Sequence, residues 1–170
     1  MREIKFRAWL KEKKIMGEVL GIDILHKEIF FSNEDVDCYG HVDFKNIELM
    51  QYTGLKDMRE KEIYDGDILL SSNENGAFLI SIDFGDPNIE YSNMLTGFKI
   101  KTEIILSNGQ YFQYFSNNLI ELINKYNIPI KEDNNTKYIS DGWWILGNIY
   151  ENPELIKEWD DEILKNKNNR

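Results

Sequence analysis

The chain has few of the residue types and motifs on which the commonest functions of small proteins depend. Among 170 residues there is one cysteine, Cys38, so no disulfide can form within the chain. Two histidines leave a poor supply of groups that titrate near neutral pH. No apolar run reaches the length of about 18 residues that a membrane span requires, and the N-terminus does not look like a signal peptide. These absences predict a soluble protein of a reducing compartment, the cytoplasm, with no membrane association.

Short catalytic motifs are missing as well. The chain contains no P-loop, dinucleotide-binding, nucleophile-elbow or zincin pattern. Catalytic triads assemble in space, so this absence leaves the question of an enzyme open. Our expectation is a protein that is not an enzyme and that binds no cofactor.

The charge is strongly acidic and unevenly distributed. Acids outnumber bases by 30 to 20, a formal charge of -10, which does not suit a protein that wraps nucleic acid. Residues 1–16 nevertheless hold six bases against two acids, and residues 17–53 hold two bases against eight acids. Either the basic segment lies beside the acidic block and partly neutralises it, or it forms a small basic patch for an acidic partner.

Alternation of apolar and polar residues predicts short strands over most of residues 2–106 and again over 142–150. Turn-forming residues separate the strands, a pattern typical of an antiparallel sheet. Two helices are also predicted. One covers 118–128, with Asn118 as its cap, and the other begins at Asn152. The apolar face of the first helix is formed by Leu119, Leu122, Ile123 and Tyr126, and that of the second by Leu155, Ile156, Trp159 and Ile163.

Two groups of residues could carry metal chemistry. Cys38 and His41 have the spacing of half a zinc site, but the chain has no second cysteine to complete it. Asp65 and Asp67 flank Gly66, and paired carboxylates can hold Mg²⁺ or divide acid and base roles. The same three residues also suit a tight turn before a strand. We expect no bound metal.

Three stretches together resemble one family. They are REIKFRAW at 2–9, LMQYTGLKD at 49–57 continuing into EIYDGDI at 62–68, and GNIYENPE at 147–154. Their content and order are similar to the YopX family, which phages and prophages of mostly Gram-positive bacteria carry. The resemblance implies a β-rich α+β fold with a barrel-like portion. Together with the residue patterns it gives the expected fold: a mainly antiparallel, strongly bent β-sheet with a barrel-like portion, one inserted helix and a C-terminal helix. It transfers no catalytic residue.

The resemblance also divides the chain. A YopX-like domain is expected over 1–155, with residues 1–45 as a separable N-terminal lobe and 107–140 as an insertion that contains the first helix. Residues 156–170 are expected to form the C-terminal helix and a frayed tail.

The central motif has two interpretations. It is either a tight structural hairpin whose turns need Gly and Asp, with 57–61 as an exposed tip, or a binding surface. The candidate surface residues are Gln51, Tyr52, Lys56, Asp57, Tyr64, Asp65 and Asp67.

The leading hypothesis for function is a phage-encoded or prophage-encoded, non-enzymatic factor that binds an unidentified host or phage protein in the host cytoplasm. Exposed strand edges and aromatic residues also favour association of the chain with itself. A nucleic-acid-associated module that uses the basic N-terminal segment is the first alternative. A metal-dependent hydrolase that uses Asp65 and Asp67 is the second.

Overall fold

The computed structural model describes residues 3–73, 76–84, 98–108, 117–133 and 136–156. The chain divides into two compact units. Unit 1 is built from Met1–Leu55 and Glu62–Asp65, and unit 2 from Lys56–Lys61 and Gly66–Arg170. The central motif therefore contributes to both units. Whether residues 1–45 fold as a lobe of their own stays a prediction.

Unit 1 is a six-stranded sheet. Its strands are β1 (Phe6–Leu10), β2 (Ile15–Asp23), β3 (Glu28–Asn33), β4 (Cys38–Asp43), β5 (Ile47–Lys56) and β6 (Glu62–Tyr64). Their order across the sheet is β4-β3-β2-β1-β5-β6. The pairs β1–β2, β2–β3, β3–β4 and β1–β5 are antiparallel. A short 3₁₀ turn, Phe44–Asn46, joins β4 to β5.

Alternation gives the sheet of unit 1 two different faces. One face packs into a buried cluster that includes Ala8, Ile29 and Phe31. At Gly17 an added Cβ would overlap the Phe31 ring, so the residue has to be small for this core to close. Arg7 is paired with Glu18 across β1 and β2, on the side away from the core.

The described elements of unit 2 are β7 (Asp67–Asn73), β8 (Gly76–Phe84), β9 (Phe98–Asn108), α1 (Asn117–Lys125), β10 (Ile130–Asp133), β11 (Thr136–Ile139) and β12 (Gly142–Asn148). Four of the strands form a sheet with the order β12-β7-β8-β9, and β10 and β11 form a two-stranded sheet. A core cluster of this unit joins the helix α1 to the larger sheet, and it includes Leu119, Ile123, Ile68, Leu79 and Trp144.

The helix α1 confirms the predicted apolar stripe, since Leu119, Leu122 and Ile123 are all buried. It begins at Asn117, so Asn118 lies inside the first turn and is not the cap that the sequence predicts. The helix ends in a Schellman motif. Asn127 has a left-handed backbone with φ of 49°. The N–H of Ile128 donates to the carbonyl of Ile123 at 3.0 Å.

The described strands confirm a predominantly antiparallel β fold with few helical residues. The expected α+β fold with a barrel-like portion is not confirmed, because each described sheet of three or more strands is open and has two ends. The second helix begins close to its predicted start at Asn152: residues 154–156 are helical, and Leu155 is buried. Trp159 and Ile163 lie outside the described residues. In the described part of the chain, no helix has the length and hydropathy of a membrane span.

Candidate functional site

The candidate surface residues fall into both units. Four of them belong to unit 1, and three belong to unit 2. The unit 1 residues are Gln51, Tyr52, Tyr64 and Asp65, and the unit 2 residues are Lys56, Asp57 and Asp67. Residues of the same unit can be combined into one site, so the two sets are described separately.

In unit 1 the two tyrosines meet and two cations join them. The ring centres of Tyr52 and Tyr64 lie 5.5 Å apart. The guanidinium carbon of Arg7 lies 4.8 Å from the Tyr64 ring centre, and Nζ of Lys5 lies 5.8 Å from that of Tyr52. Lys5 and Arg7 are two positions apart in an extended segment, so they face the same side. The cluster thus combines aromatic rings with cations, a favourable contact.

A carboxylate links this cluster. Nζ of Lys5 donates to Oε1 of Glu62 at 2.6 Å, and the Tyr64 hydroxyl donates to Oε2 at 2.8 Å. Burial raises the pKa of Tyr64 strongly, and the Glu62 carboxylate raises it further. Glu62, and then Glu3, also raise the pKa of the Lys5 ammonium. At neutral pH the phenol is protonated and the ammonium is charged, so both groups can donate to the Glu62 carboxylate.

Two adjoining grooves open on unit 1, and they share Glu18 and Tyr64. The first has a volume of about 450 Å³ and a mainly polar lining. The second has a volume of about 520 Å³ and a lining that is partly apolar. Polar residues of the first groove include Arg7, Ser32, Asn33, Glu34 and Asp35, and apolar residues of the second include Ile4, Phe6, Val19, Leu20 and Ile22.

Three of the apolar residues of the second groove, Ile4, Leu20 and Ile22, are exposed, and the other two are partly buried. Ile4 is 73% exposed and Leu20 is 58% exposed. Isolated exposed apolar residues are ordinary, but here they border one groove beside a charged cluster. Sequence reasoning named Tyr52 and Tyr64 but missed Lys5, Arg7, Glu18 and Glu62. The period-2 pattern could have found Lys5 with Arg7 and Glu62 with Tyr64, because each pair is two positions apart in extended chain.

In unit 2 Asp57 is buried, and its carboxylate accepts several intrachain hydrogen bonds. Oδ1 accepts from the backbone N–H of Arg59 at 2.8 Å and of Lys61 at 3.0 Å. Oδ2 accepts from the N–H of Ile145 at 3.2 Å and from Nε of Arg59 at 3.3 Å. Burial by itself raises the pKa of Asp57, but these donors together outweigh it and hold the pKa below its usual range.

The loop of residues 57–61 is therefore only partly the exposed tip that its charge predicts. Residues 58–61 are all exposed, as predicted. Asp57 is 4% exposed, and the Arg59 guanidinium reaches inward to donate to the Ile145 carbonyl at 2.6 Å. Of the other two candidate residues in this unit, Lys56 is exposed and Asp67 is fully buried.

The GNIYENPE motif has a structural role in unit 2. Asn148 is buried, and its Oδ1 accepts from the N–H groups of Tyr150 and Glu151 at 3.0 and 2.9 Å. An added Cβ at Gly147 would overlap the Asn152 side chain. The motif thus forms a compact turn between β12 and the helical residues that follow.

The pair of residues with zinc-like spacing, Cys38 and His41, has other partners. Sγ of Cys38 lies 3.2 Å from Nζ of Lys13, and Nδ1 of His41 lies 3.5 Å from Oε2 of Glu28. Among the described side chains, no three of the ligating types lie close enough together to hold a metal ion.

The basic N-terminal segment contacts the acidic block that follows it. Nζ of Lys11 lies 2.8 Å from Oε1 of Glu48, which belongs to that block. Lys5 pairs with Glu3 and Glu62, which lie outside it. The Lys11 pair agrees with the first interpretation of the charge pattern.

Comparison with known proteins gives a family and a fold. No curated protein matches the chain. The crystal structure of protein EF1440 from Enterococcus faecalis is similar, with a TM-score of 0.51 and 21% identity over 92% of this chain and 99% of that one. That likeness shows a shared fold. The family model described as YopX protein matches residues 5–157. The chain therefore belongs to the YopX family, as its three motifs predict.

Proposed function

We propose that this chain is a non-enzymatic protein-binding factor, encoded by a phage or prophage, that acts in the host cytoplasm through the two grooves of unit 1. One observation carries the proposal: a mainly polar groove and a partly apolar groove adjoin each other and share Glu18 and Tyr64. Such a combination suits a partner surface, because polar and apolar side chains lie next to each other along two grooves.

The lining of the grooves defines the partner's chemistry. The first groove has three carboxylates, those of Glu18, Glu34 and Asp35, against the single guanidinium of Arg7. The second offers the exposed side chains of Ile4 and Leu20. A partner segment with a basic residue next to an apolar residue would complement the carboxylates of the first groove and the apolar side chains of the second. The formal charge of -10 would also steer a basic partner toward the chain.

Tyr64 lies where the grooves meet. Its hydroxyl is held by Glu62 and its ring by Arg7, so the side chain is ordered before a partner arrives. Ordered aromatic side chains next to charged groups are frequent centres of binding energy at protein interfaces.

The test is an affinity capture from nuclease-treated host lysate, read by mass spectrometry, and repeated with matched variants. Leu20→Asp and Glu18→Lys alter the grooves, and Leu25→Asp is the control because Leu25 is 85% exposed and lines neither groove. We expect one dominant protein whose recovery falls at least about tenfold in both groove variants and is unchanged in the control.

Two results would contradict the proposal. Recovery that is insensitive to both groove variants would place the interaction elsewhere on the chain. Recovery that disappears after nuclease treatment and in Lys13→Glu would favour the nucleic-acid module instead, because phosphate binding depends on exposed cations.

A further inference from the structure

The two grooves of unit 1 follow one strand. Residues 16–18 of β2 line the first groove, and residues 18–22 of the same strand line the second. At about 3.3 Å per residue, the lining from Met16 to Ile22 extends over about 20 Å. The two grooves therefore lie end to end along β2.

Beside the second groove, β2 separates from its neighbour β1. The register of the two strands ends at the pair of Arg7 and Glu18. β2 continues to Asp23, and among the described residues this outer part pairs with β3 alone. Backbone groups of alternate residues point to the same side of a strand, so some of those in residues 20–22 face the groove. Such groups can hydrogen-bond to an extended peptide.

The first groove supplies the charge. Glu34 and Asp35 are exposed in the turn after β3, and together with Glu18 they line this groove. The turn is attached to β2, because Nδ2 of Asn33 donates to the Met16 carbonyl at 2.5 Å. The three carboxylates are thus assembled beside β2 before a partner arrives, and they complement a cation.

We propose that the occupant of the two grooves is an extended segment of the partner that lies along β2 and carries a basic and an apolar side chain two positions apart. The inference rests on the function proposed above and specifies the form of its partner. The basic side chain lies among the carboxylates of Glu18, Glu34 and Asp35. The apolar side chain contacts Ile4 and Leu20, the exposed apolar residues of the second groove.

The distance between the grooves fits this spacing. Gly17 and Leu20 are the middle residues of the two lining segments, and they lie about 10 Å apart along β2. Side chains two positions apart in an extended partner begin about 7 Å from each other and point to the same side. The long stem of arginine or lysine covers the remaining distance. Adjacent residues would instead direct one of the two side chains away from the grooves.

Two isomeric peptides test the spacing. Both consist of serine and threonine with one arginine and one isoleucine, which are two positions apart in the test peptide and adjacent in the control peptide. Titration of isotope-labelled protein, followed by NMR, measures both Kd values. We expect the Kd of the test peptide to be at least about tenfold lower than that of the control peptide. We also expect its largest signal shifts at the backbone amides of residues 18–22.

A matched pair of variants tests the charge. Glu34→Lys reverses a carboxylate of the first groove, and Glu12→Lys makes the same change at an exposed residue that lines neither groove. We expect the Kd of the test peptide to rise at least about tenfold in Glu34→Lys and to stay within about twofold of wild type in Glu12→Lys. An equal rise in both variants would reflect net charge alone and would overturn the placement of the basic side chain.

Failure of this inference can be told apart from failure of the proposed function. Equal Kd values of the two peptides overturn the extended segment, and so does the absence of binding by either peptide at millimolar concentration. If the capture from lysate still depends on the groove variants, the partner then binds the grooves through a folded surface. Capture that is insensitive to the groove variants overturns the proposed function and this inference together.

Discussion

The Asp57 carboxylate accepts a hydrogen bond from the backbone N–H of Ile145, which lies 88 residues further along the chain. The same carboxylate holds the N–H groups of Arg59 and Lys61, and Arg59 returns a hydrogen bond to the Ile145 carbonyl. One acidic side chain therefore shapes a loop and attaches it to the edge of β12. Residues that distinguish the YopX motif are in this way part of the framework of unit 2.

Asp57→Asn should destabilise the protein by about 2 to 3 kcal/mol. The change removes the charge from an acceptor of four hydrogen bonds and turns amide hydrogens toward backbone N–H groups, leaving buried donors unpaired. Urea unfolding at neutral pH measures the loss. Asp141→Asn is the control, because Asp141 is exposed near the same strand. Equal stability of the two variants would show that the Asp57 hydrogen bonds contribute nothing net.

The stability of the protein should depend on pH through the same Asp57 carboxylate. The folded pKa of Asp57 is below its ordinary value of about 3.9, so its contribution is fully present above that value and is lost as pH falls through the folded pKa. Comparing wild type with Asp57→Asn removes the effect of the exposed carboxylates of Asp23 and Asp43, whose pKa values are also lowered.

We expect the stability difference between these two proteins to shrink below about pH 4. A difference that stays constant from neutral to acidic pH would be inconsistent with a charged Asp57 in the folded state.

Gly147→Ala should cost about 1 to 3 kcal/mol. An added Cβ at this position overlaps the Asn152 side chain and so disturbs the turn that follows β12. Gly21→Ala is the matched strand control, because the nearest atom to its added Cβ, Cβ of Phe30, is 4.0 Å away. Thermal unfolding of both variants is the measurement. The double variant with Asn152→Ala should recover part of the loss, and no recovery would indicate a different cause.

The end of α1 offers a backbone test. Asn127 has the left-handed φ of 49° that closes the Schellman motif. Asn127→Ala is expected to destabilise by about 1 kcal/mol, because Ala pays a steric cost in that conformation. Asn127→Gly should be neutral or stabilising, since Gly adopts it freely. Unfolding midpoints in urea would decide, and a loss in Asn127→Gly as large as in Asn127→Ala would count against a conformational cause.

Local pattern predicted several features of the fold. The strands of unit 1, the apolar stripe of α1 and the start of the second helix all follow from spacings of two to four residues. The predicted cap, Asn118, lies inside α1, because asparagine is favoured at a cap but residue type alone does not fix where a helix begins. Of the candidate site, the sequence identified Tyr52 and Tyr64 within a motif. The period-2 spacing of Lys5 with Arg7 and of Glu62 with Tyr64 was available but not used, and Glu18 has no distinguishing local pattern.

The amino-acid sequence by itself determined which face of each strand is apolar, where the chain turns, and to which family it belongs. Only the tertiary structure decided that Asp57 is buried against Ile145 and that the two grooves share Glu18 and Tyr64. The reason is physical. Alternation and helical spacing are set by the backbone over a few residues, whereas these contacts join residues from distant parts of the chain. Such contacts exist only once sheets have paired and buried their cores.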